Sequence, residues 1–350
     1  MRMLPLLLLL GCACGCHHSP AATFPRSPPG PDVPTPAYYD AGGTVPEPLS
    51  RELTWRRRGA IFERIELPPR LIPAVAEVPL ADTPIEILWM RPFPETGEPR
   101  PLILMSPLLG NSRLLMCDFA TAFVRQGFNA AVVMRKDLQF DPERSLRLAE
   151  EEVRIVVMRA RQALDWLVEQ PGVDATRLGM FGISAGGILG VDMLAADPRL
   201  GPGVFIWAGA PMADVLVDTV EDRMADDVRL LIDEHGWTRE RLRKHLRARI
   251  RTDPIKLAPR IRREDVLLFT TTDDDSVPTR YQEALWRALG EPERHELLGG
   301  HYTATAAFFP FLIVKTQAFF RSRLSRGTQP RAPVTPLRTT PVSGCARGSG

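Results

Sequence analysis

Hydrophobic positions follow two rhythms along the middle of the chain. Pro84 to Met90 and Pro101 to Met105 are short apolar runs bounded by proline and glycine, which predicts strands. From Ser112 to Gln126, Leu115, Phe119, Ala122 and Phe123 fall on one helical face, and Gly127 ends it. Phe128 to Met134 is strand-like again. Val153, Val156, Ala160, Ala163, Leu164 and Leu167 then recur at three- and four-residue steps, the stripe of a long amphipathic helix broken by Pro171-Gly172. A strand over Arg177 to Phe181, a small-residue helix over Gly187 to Ala196 and a strand over Val204 to Trp207 follow. After a long polar stretch come a strand (Val266 to Thr271) and a helix marked by Tyr281, Ala284, Leu285, Ala288 and Leu289. A short strand (Glu296 to Leu298) and a helix from Ala304 onward complete the pattern. This alternation predicts an α/β fold, a mostly parallel sheet covered by helices on both faces. Chemistry in such sheets gathers at the carboxyl ends of the strands.

The two ends lack the pattern. Met1-Arg2-Met3 leads into a leucine-rich run and Gly11-Cys12, the layout of a secretory signal. Leu9-Leu10-Gly11-Cys12 resembles the lipobox of bacterial lipoproteins, which implies that Cys12 is acylated and becomes the mature N-terminus. Residues 1–16 are therefore expected to be a signal peptide. Residues 17–50, dense in proline, are expected to form an extended, disordered tether. Residues 326–350 are expected to be a disordered tail, leaving 51–325 as one domain. This predicts an exported protein, lipid-anchored to a bacterial membrane and facing the periplasm or exterior. No apolar run approaches the ~18–20 residues of a membrane-spanning helix.

Composition narrows the chemistry. In 350 residues, 44 Lys and Arg stand against 42 Asp and Glu, a formal net charge of +2, so bulk charge gives no reason to expect a nucleic-acid partner. Of five cysteines, three crowd the N-terminus, leaving Cys117 and Cys345 as no disulfide framework. No Cys, His and carboxylate cluster has metal-ligand spacing, and no cofactor is implied.

The strongest local signal is Gly182-Ile183-Ser184-Ala185-Gly186-Gly187, set between a predicted strand and a predicted helix. In that setting a Gly-x-Ser-x-Gly turn holds its serine strained and exposed above the sheet, at a helix N-terminus whose free N–H groups favour negative charge. With the approach segments Ala163-Leu164-Asp165-Trp166-Leu167, Pro171-Gly172-Val173-Asp174 and Arg177-Leu178, the chain resembles the α/β-hydrolase superfamily. The dienelactone-hydrolase and acetyl-esterase-like branches are the nearest in pattern, and the resemblance covers about residues 60 to 325. It implies an α/β-hydrolase fold with Ser184 as nucleophile.

A serine hydroxyl needs a general base within hydrogen-bond reach. Of six histidines, His17 and His18 lie in the tether and His235 and His245 in the polar stretch. His295 begins the last short strand, whereas His301 follows Gly299-Gly300 in a loop past that strand, and the family's catalytic histidine follows its last strand. The base needs a carboxylate to orient it. The strand ending at Thr271 runs into Asp273-Asp274-Asp275-Ser276-Val277-Pro278. In the family the acid commonly precedes a Val-Pro pair by three residues, which selects Asp274, with Asp273, Asp275 and the more distant Asp214 as rivals. The resemblance further implies oxyanion donors at Ala185 and at Leu108, with Leu109 close behind. The loop Ser106-Pro107-Leu108-Leu109-Gly110-Asn111 nevertheless lacks the usual His-Gly.

The segment 210–259, acidic in its first half and basic in its second, is expected to form a helical lid, with Met224 and Val228 as candidate pocket residues. The expected activity is hydrolysis of a small-molecule carboxylic ester through an acyl-enzyme. The alternatives are a peptidase or acyltransferase of the same fold, or a catalytically dead domain used as a binding module. A peptidase of this fold usually carries an added propeller domain, for which the chain has no room.

Overall fold

In a computed structural model, the structure describes residues 33–325 apart from 58, 71, 111 and 136–141. Cys12, most of the expected signal and tether, and the expected tail at 326–350 lie outside the described residues. The elements run β1 (Ser50–Arg57), β2 (Gly59–Leu67), β3 (Ile85–Phe93), β4 (Arg100–Ser106), α1 (Arg113–Arg125), β5 (Asn129–Val133), α2 (Pro142–Arg147), α3 (Ala149–Val168) and β6 (Val173–Ile183). They continue as α4 (Ala185–Ala196), β7 (Leu200–Ile206), four lid helices, β8 (Val266–Thr271), α9 (Thr279–Ala288), β9 (Glu293–Leu297) and α10 (His301–Arg323). The lid helices are α5 (Met212–Asp218), α6 (Asp222–His235), α7 (Arg239–Arg249) and α8 (Pro254–Leu257).

The nine strands form one sheet in the order β1-β2-β3-β5-β4-β6-β7-β8-β9. From β5 to β9 every pairing is parallel, while β1, β2 and β3 join antiparallel. Side chains alternate across a strand, so each central strand feeds two cores. Leu102, Leu104, Met180, Phe205 and Leu268 pack towards α3, α4 and α9. Ile103, Met105, Phe181, Val204 and Phe269 pack towards α1 and α10. Near-continuous apolar strands are what a sheet buried on both faces requires.

Three features depart from the sequence expectations. The proline-dense segment does not run free to residue 50: from Val33 it docks on the domain. Its carbonyls are spent on arginines of other elements, Arg154 Nε reaching the Tyr38 oxygen at 2.9 Å and Arg260 Nη2 the Val33 oxygen at 3.2 Å. Tyr39 is fully buried, its hydroxyl 2.9 Å from Thr252 Oγ1. Second, β1 and β2 were not expected as strands. Third, α10 is by length and composition apolar enough to cross a membrane, where no such segment was expected. Here it lies along the sheet with Ala304, Leu312, Phe319 and Phe320 buried.

The lid helices explain the charge pattern of 210–259. Asp214, 2% exposed, takes Arg247 in a two-pronged ion pair, with Nε to Oδ2 at 2.7 Å, and Arg243 Nε lies 3.3 Å from Oδ1. Arg243 also meets Asp218 at 2.5 Å. Two acids of the first half, Asp214 and Asp218, are thus partnered by two arginines of the second. Asp214, thus engaged, is held within the lid and makes no contact with His301.

Candidate active site

At the carboxyl end of β6 the chain must turn at once into α4, and the glycines make room. A Cβ on Gly182 would overlap the Gly186 carbonyl, and one on Gly186 would overlap the carbonyl oxygens of Ser106 and Pro107. Ser184 between them has φ 55° and ψ −126°, a region that side chains other than glycine rarely adopt. Its N–H donates to the Ile206 oxygen at 2.8 Å, and its own carbonyl accepts from Gly187 and Ile188 in the first turn of α4. Ser184 is thus locked at a helix N-terminus above the sheet. Ala185, first residue of that helix, has an N–H that no intrahelical carbonyl can reach.

Asp274 lies beyond the end of β8. Of the three successive aspartates it alone is buried, while Asp273 and Asp275 are exposed. Every donor around it converges. Its Oδ1 accepts from the Val277 N–H at 2.8 Å, and its Oδ2 from Gln282 Nε2 at 2.9 Å, Thr271 Oγ1 at 3.2 Å and His301 Nδ1 at 2.8 Å. A carboxylate so held fixes which nitrogen of the imidazole carries the proton, leaving Nε2 as the acceptor.

His301 opens α10 rather than sitting in a loop. Gly299, at φ 108°, turns the chain and Gly300 caps the helix, its N–H donating to Thr303 Oγ1 at 3.0 Å. The helix start is tied to β7 through a residue that the sequence reading passed over. Trp207, fully buried and at φ 53°, donates its indole N–H to Thr305 Oγ1 at 2.8 Å, and Thr305 in turn donates to the His301 carbonyl at 2.6 Å. His295 is set apart. Its ring packs on Phe269 and Phe311 within the sheet layer, and burial, followed by the charge of Lys315, lowers its pKa.

The structure therefore brings Asp274 and His301 into contact and places Ser184 on the same sheet edge. Among the described residues, the Ser184 hydroxyl makes no hydrogen bond to His301. Such bonds commonly tighten only when substrate is bound. A cleft of about 400 Å³ opens beside His301, walled by Val220, Glu221, Asp273, Asp275 and Tyr302; Ser184 is not in its lining. The lid contribution to this cleft comes from the turn before α6, not from Met224 or Val228. Val228 is buried in the main core instead. Tyr302 donates to Glu221 at 2.8 Å, and Ser276 also bonds Glu221, stitching lid, acid loop and α10 together. Desolvation, then the bond to Glu221, pushes the Tyr302 phenol up to about 12, so its hydroxyl stays a donor.

The loop after β4 completes the edge. It crosses close over Gly186, and Arg135, just past β5, binds it: Nη2 donates to the Pro107 oxygen at 2.6 Å and to the Leu108 oxygen at 3.1 Å. Among the described residues no group of three or more His, Cys, Asp or Glu side chains is arranged to hold a metal ion.

This arrangement of strands and helices has counterparts among solved structures. An acetyl xylan esterase from Paenibacillus sp. R4 superposes with a TM-score of 0.56 at 15% identity, covering 76% of this chain and 87% of that one. Acetyl xylan esterase 1 from Thermoanaerobacterium sp. JW/SL YS485 gives 0.54 at 17% identity, covering 77% and 88%. A cold-adapted esterase from an Arctic intertidal metagenomic library gives 0.51 at 17%, covering 79% and 98%. The chain has the α/β-hydrolase fold. Residues 160–298, from α3 to the end of β9, match the prolyl oligopeptidase family. No curated protein matches the chain.

Proposed function

We propose that the protein is a serine hydrolase of carboxylic esters. The observation that carries this reading is the 2.8 Å contact between Asp274 and His301 Nδ1, at the sheet edge that also bears the strained Ser184. Ser184 Oγ attacks the ester carbonyl carbon while His301 Nε2 takes its proton. The carbonyl π electrons move onto oxygen, where the N–H groups of Ala185 and Leu108 receive the charge. Collapse breaks the bond to the leaving alcohol, which takes the proton from His301. Water, deprotonated by the same imidazole, then releases the acid and restores Ser184. Asp274, bonded to Nδ1, orients the imidazole and stabilises the imidazolium. No step requires a metal or organic cofactor. Small esters are the proposed substrates, since the esterases of this fold superpose over most of the chain.

Labelling with a fluorophosphonate probe tests the reading. An adduct on the wild type that disappears in Ser184→Ala is expected. No adduct at all would favour a binding module, and an undiminished adduct in the variant would remove Ser184 from its role. The match to the prolyl oligopeptidase family favours peptide-bond cleavage as a second reading. An ester and an amide of the same acyl group separate the two, and faster turnover of the amide would select the peptidase. We further propose export and lipid attachment at Cys12, on the strength of the N-terminal sequence. Mass spectrometry of membrane-fraction protein with an unmodified Cys12 would overturn it.

A further inference from the structure

We infer that Arg135 is the positioning residue of the oxyanion site, a part that the proposed chemistry needs and that no sequence motif marks. The inference rests on the serine-hydrolase reading above. β5 and β4 are parallel neighbours with Met105 opposite Val132, so the residue two past the end of β5 comes beside the loop that leaves β4. There the Arg135 Nη2 donates to two successive carbonyls, Pro107 at 2.6 Å and Leu108 at 3.1 Å. Each peptide unit is planar, so fixing a carbonyl fixes the N–H on the other side of the same bond. The two units held are those whose N–H groups belong to Leu108 and Leu109, the pair of candidate donors. One guanidinium thus sets the direction of both.

Among the loop's described residues, Leu108 also packs its side chain against the core beneath α1 and α10. The loop lacks a His-Gly turn, and Pro107 offers no N–H of its own. A further constraint is steric, the close approach of the Ser106 and Pro107 carbonyls to Gly186. Arg135 adds an electronic effect to the geometric one. A cation on a carbonyl oxygen polarises that peptide unit and makes its N–H a stronger donor, since hydrogen bonds in series reinforce one another. Both effects act where negative charge develops in the transition state rather than on the neutral ester, so their loss belongs in kcat and not in KM. Complete removal of an oxyanion donor costs on the order of 10²–10³-fold, and a donor loosened but still present should cost on the order of 10–100-fold.

The test is steady-state hydrolysis of a chromogenic acetate ester by wild type, Arg135→Lys, Arg135→Met and Ser184→Ala, with unfolding midpoints measured in parallel. The expected result is kcat lowered on the order of 10–100-fold in Arg135→Met with KM nearly unchanged. Arg135→Lys, which keeps a charged donor but reaches one carbonyl at a time, should lie between. A boronic acid, which forms a tetrahedral anionic adduct on serine, should lose affinity in the same proportion as kcat. Should Arg135→Met fail to fold, the Lys variant carries the same comparison. Wild-type kcat in both variants, or a loss confined to KM, overturns the inference while leaving the hydrolase reading intact. Absence of any turnover that depends on Ser184 overturns that reading, and this inference with it.

Discussion

Asp192 offers the sharpest physical test of the fold. It lies on α4, the helix that begins at the nucleophile elbow, and it is fully buried with neither carboxylate oxygen hydrogen-bonded. Burial, then the negative charges of Asp253 and Glu150, raise its pKa well above the usual carboxylate value. The neighbouring acids have partners that Asp192 lacks. Asp253 accepts from the Met212 and Ile255 N–H groups, and Glu150 from Thr252. The fold thus favours the neutral acid at Asp192. With the folded pKa above the unfolded one, its contribution is fully present below the unfolded value of about 3.9 and is lost as pH rises towards the folded value. In that window the unfolded chain releases a proton that the folded chain keeps. While the folded carboxyl stays protonated, each pH unit weakens folding by at most about 1.4 kcal/mol. Asp192→Asn cannot titrate. Its amide carries some cost of burial, but that cost does not change with pH. Urea unfolding followed by circular dichroism at pH 5, 6 and 7 reads the difference. The stability gap should move in favour of Asp192→Asn as pH rises across that range, by no more than about 1.4 kcal/mol per pH unit. A gap that stays constant with pH would refute the argument, because Asp192 would then titrate alike in both states.

Other substitutions probe the site and the lid. Asp274→Asn removes the acceptor that orients His301 Nδ1, and kcat for ester hydrolysis should fall on the order of 10³–10⁴-fold. A circular dichroism spectrum like that of the wild type would show that the loss is chemical. Gly186→Ala drives a methyl group into the carbonyls of Ser106 and Pro107. It should cost about 1–3 kcal/mol or more and slow fluorophosphonate labelling, because the loop displaced is the one that carries Leu108. Arg247→Ala strips the buried Asp214 of its two-pronged partner, with Arg243 remaining 3.3 Å away. A lower urea midpoint, corresponding to about 1–3 kcal/mol, is expected.

Features that depend on neighbours along the chain can be read without coordinates. The Gly182–Gly186 elbow is legible because a strand must turn into a helix within five residues and only glycine lets the backbones pass. Family resemblance alone singles Asp274 out of three aspartates, and the fold adds the physical counterpart, a Val277 N–H that reaches back to its carboxylate at 2.8 Å. The apolar runs of β4, β6, β7 and β8 announce a sheet buried on both faces. Even His301 could be chosen, although its place as first residue of α10 depends on a cap that Gly300 and Thr303 make together.

Features that depend on distant partners emerge only in the folded chain. Prolines at 34, 36, 46 and 48 suggest a free tether, yet Tyr39 is buried against Thr252, 213 residues away, and arginines from α3 and the segment after α8 take up the backbone carbonyls of the segment. Asp214 and Arg247 stand 33 residues apart in the chain, and only the packing of the lid helices pairs them. Arg135 is one arginine among many until β5 sets it beside the loop leaving β4. Local order is written in short-range sterics and periodicity. Partnership between charges, carbonyls and remote side chains is settled only when the sheet closes and brings them within hydrogen-bond reach.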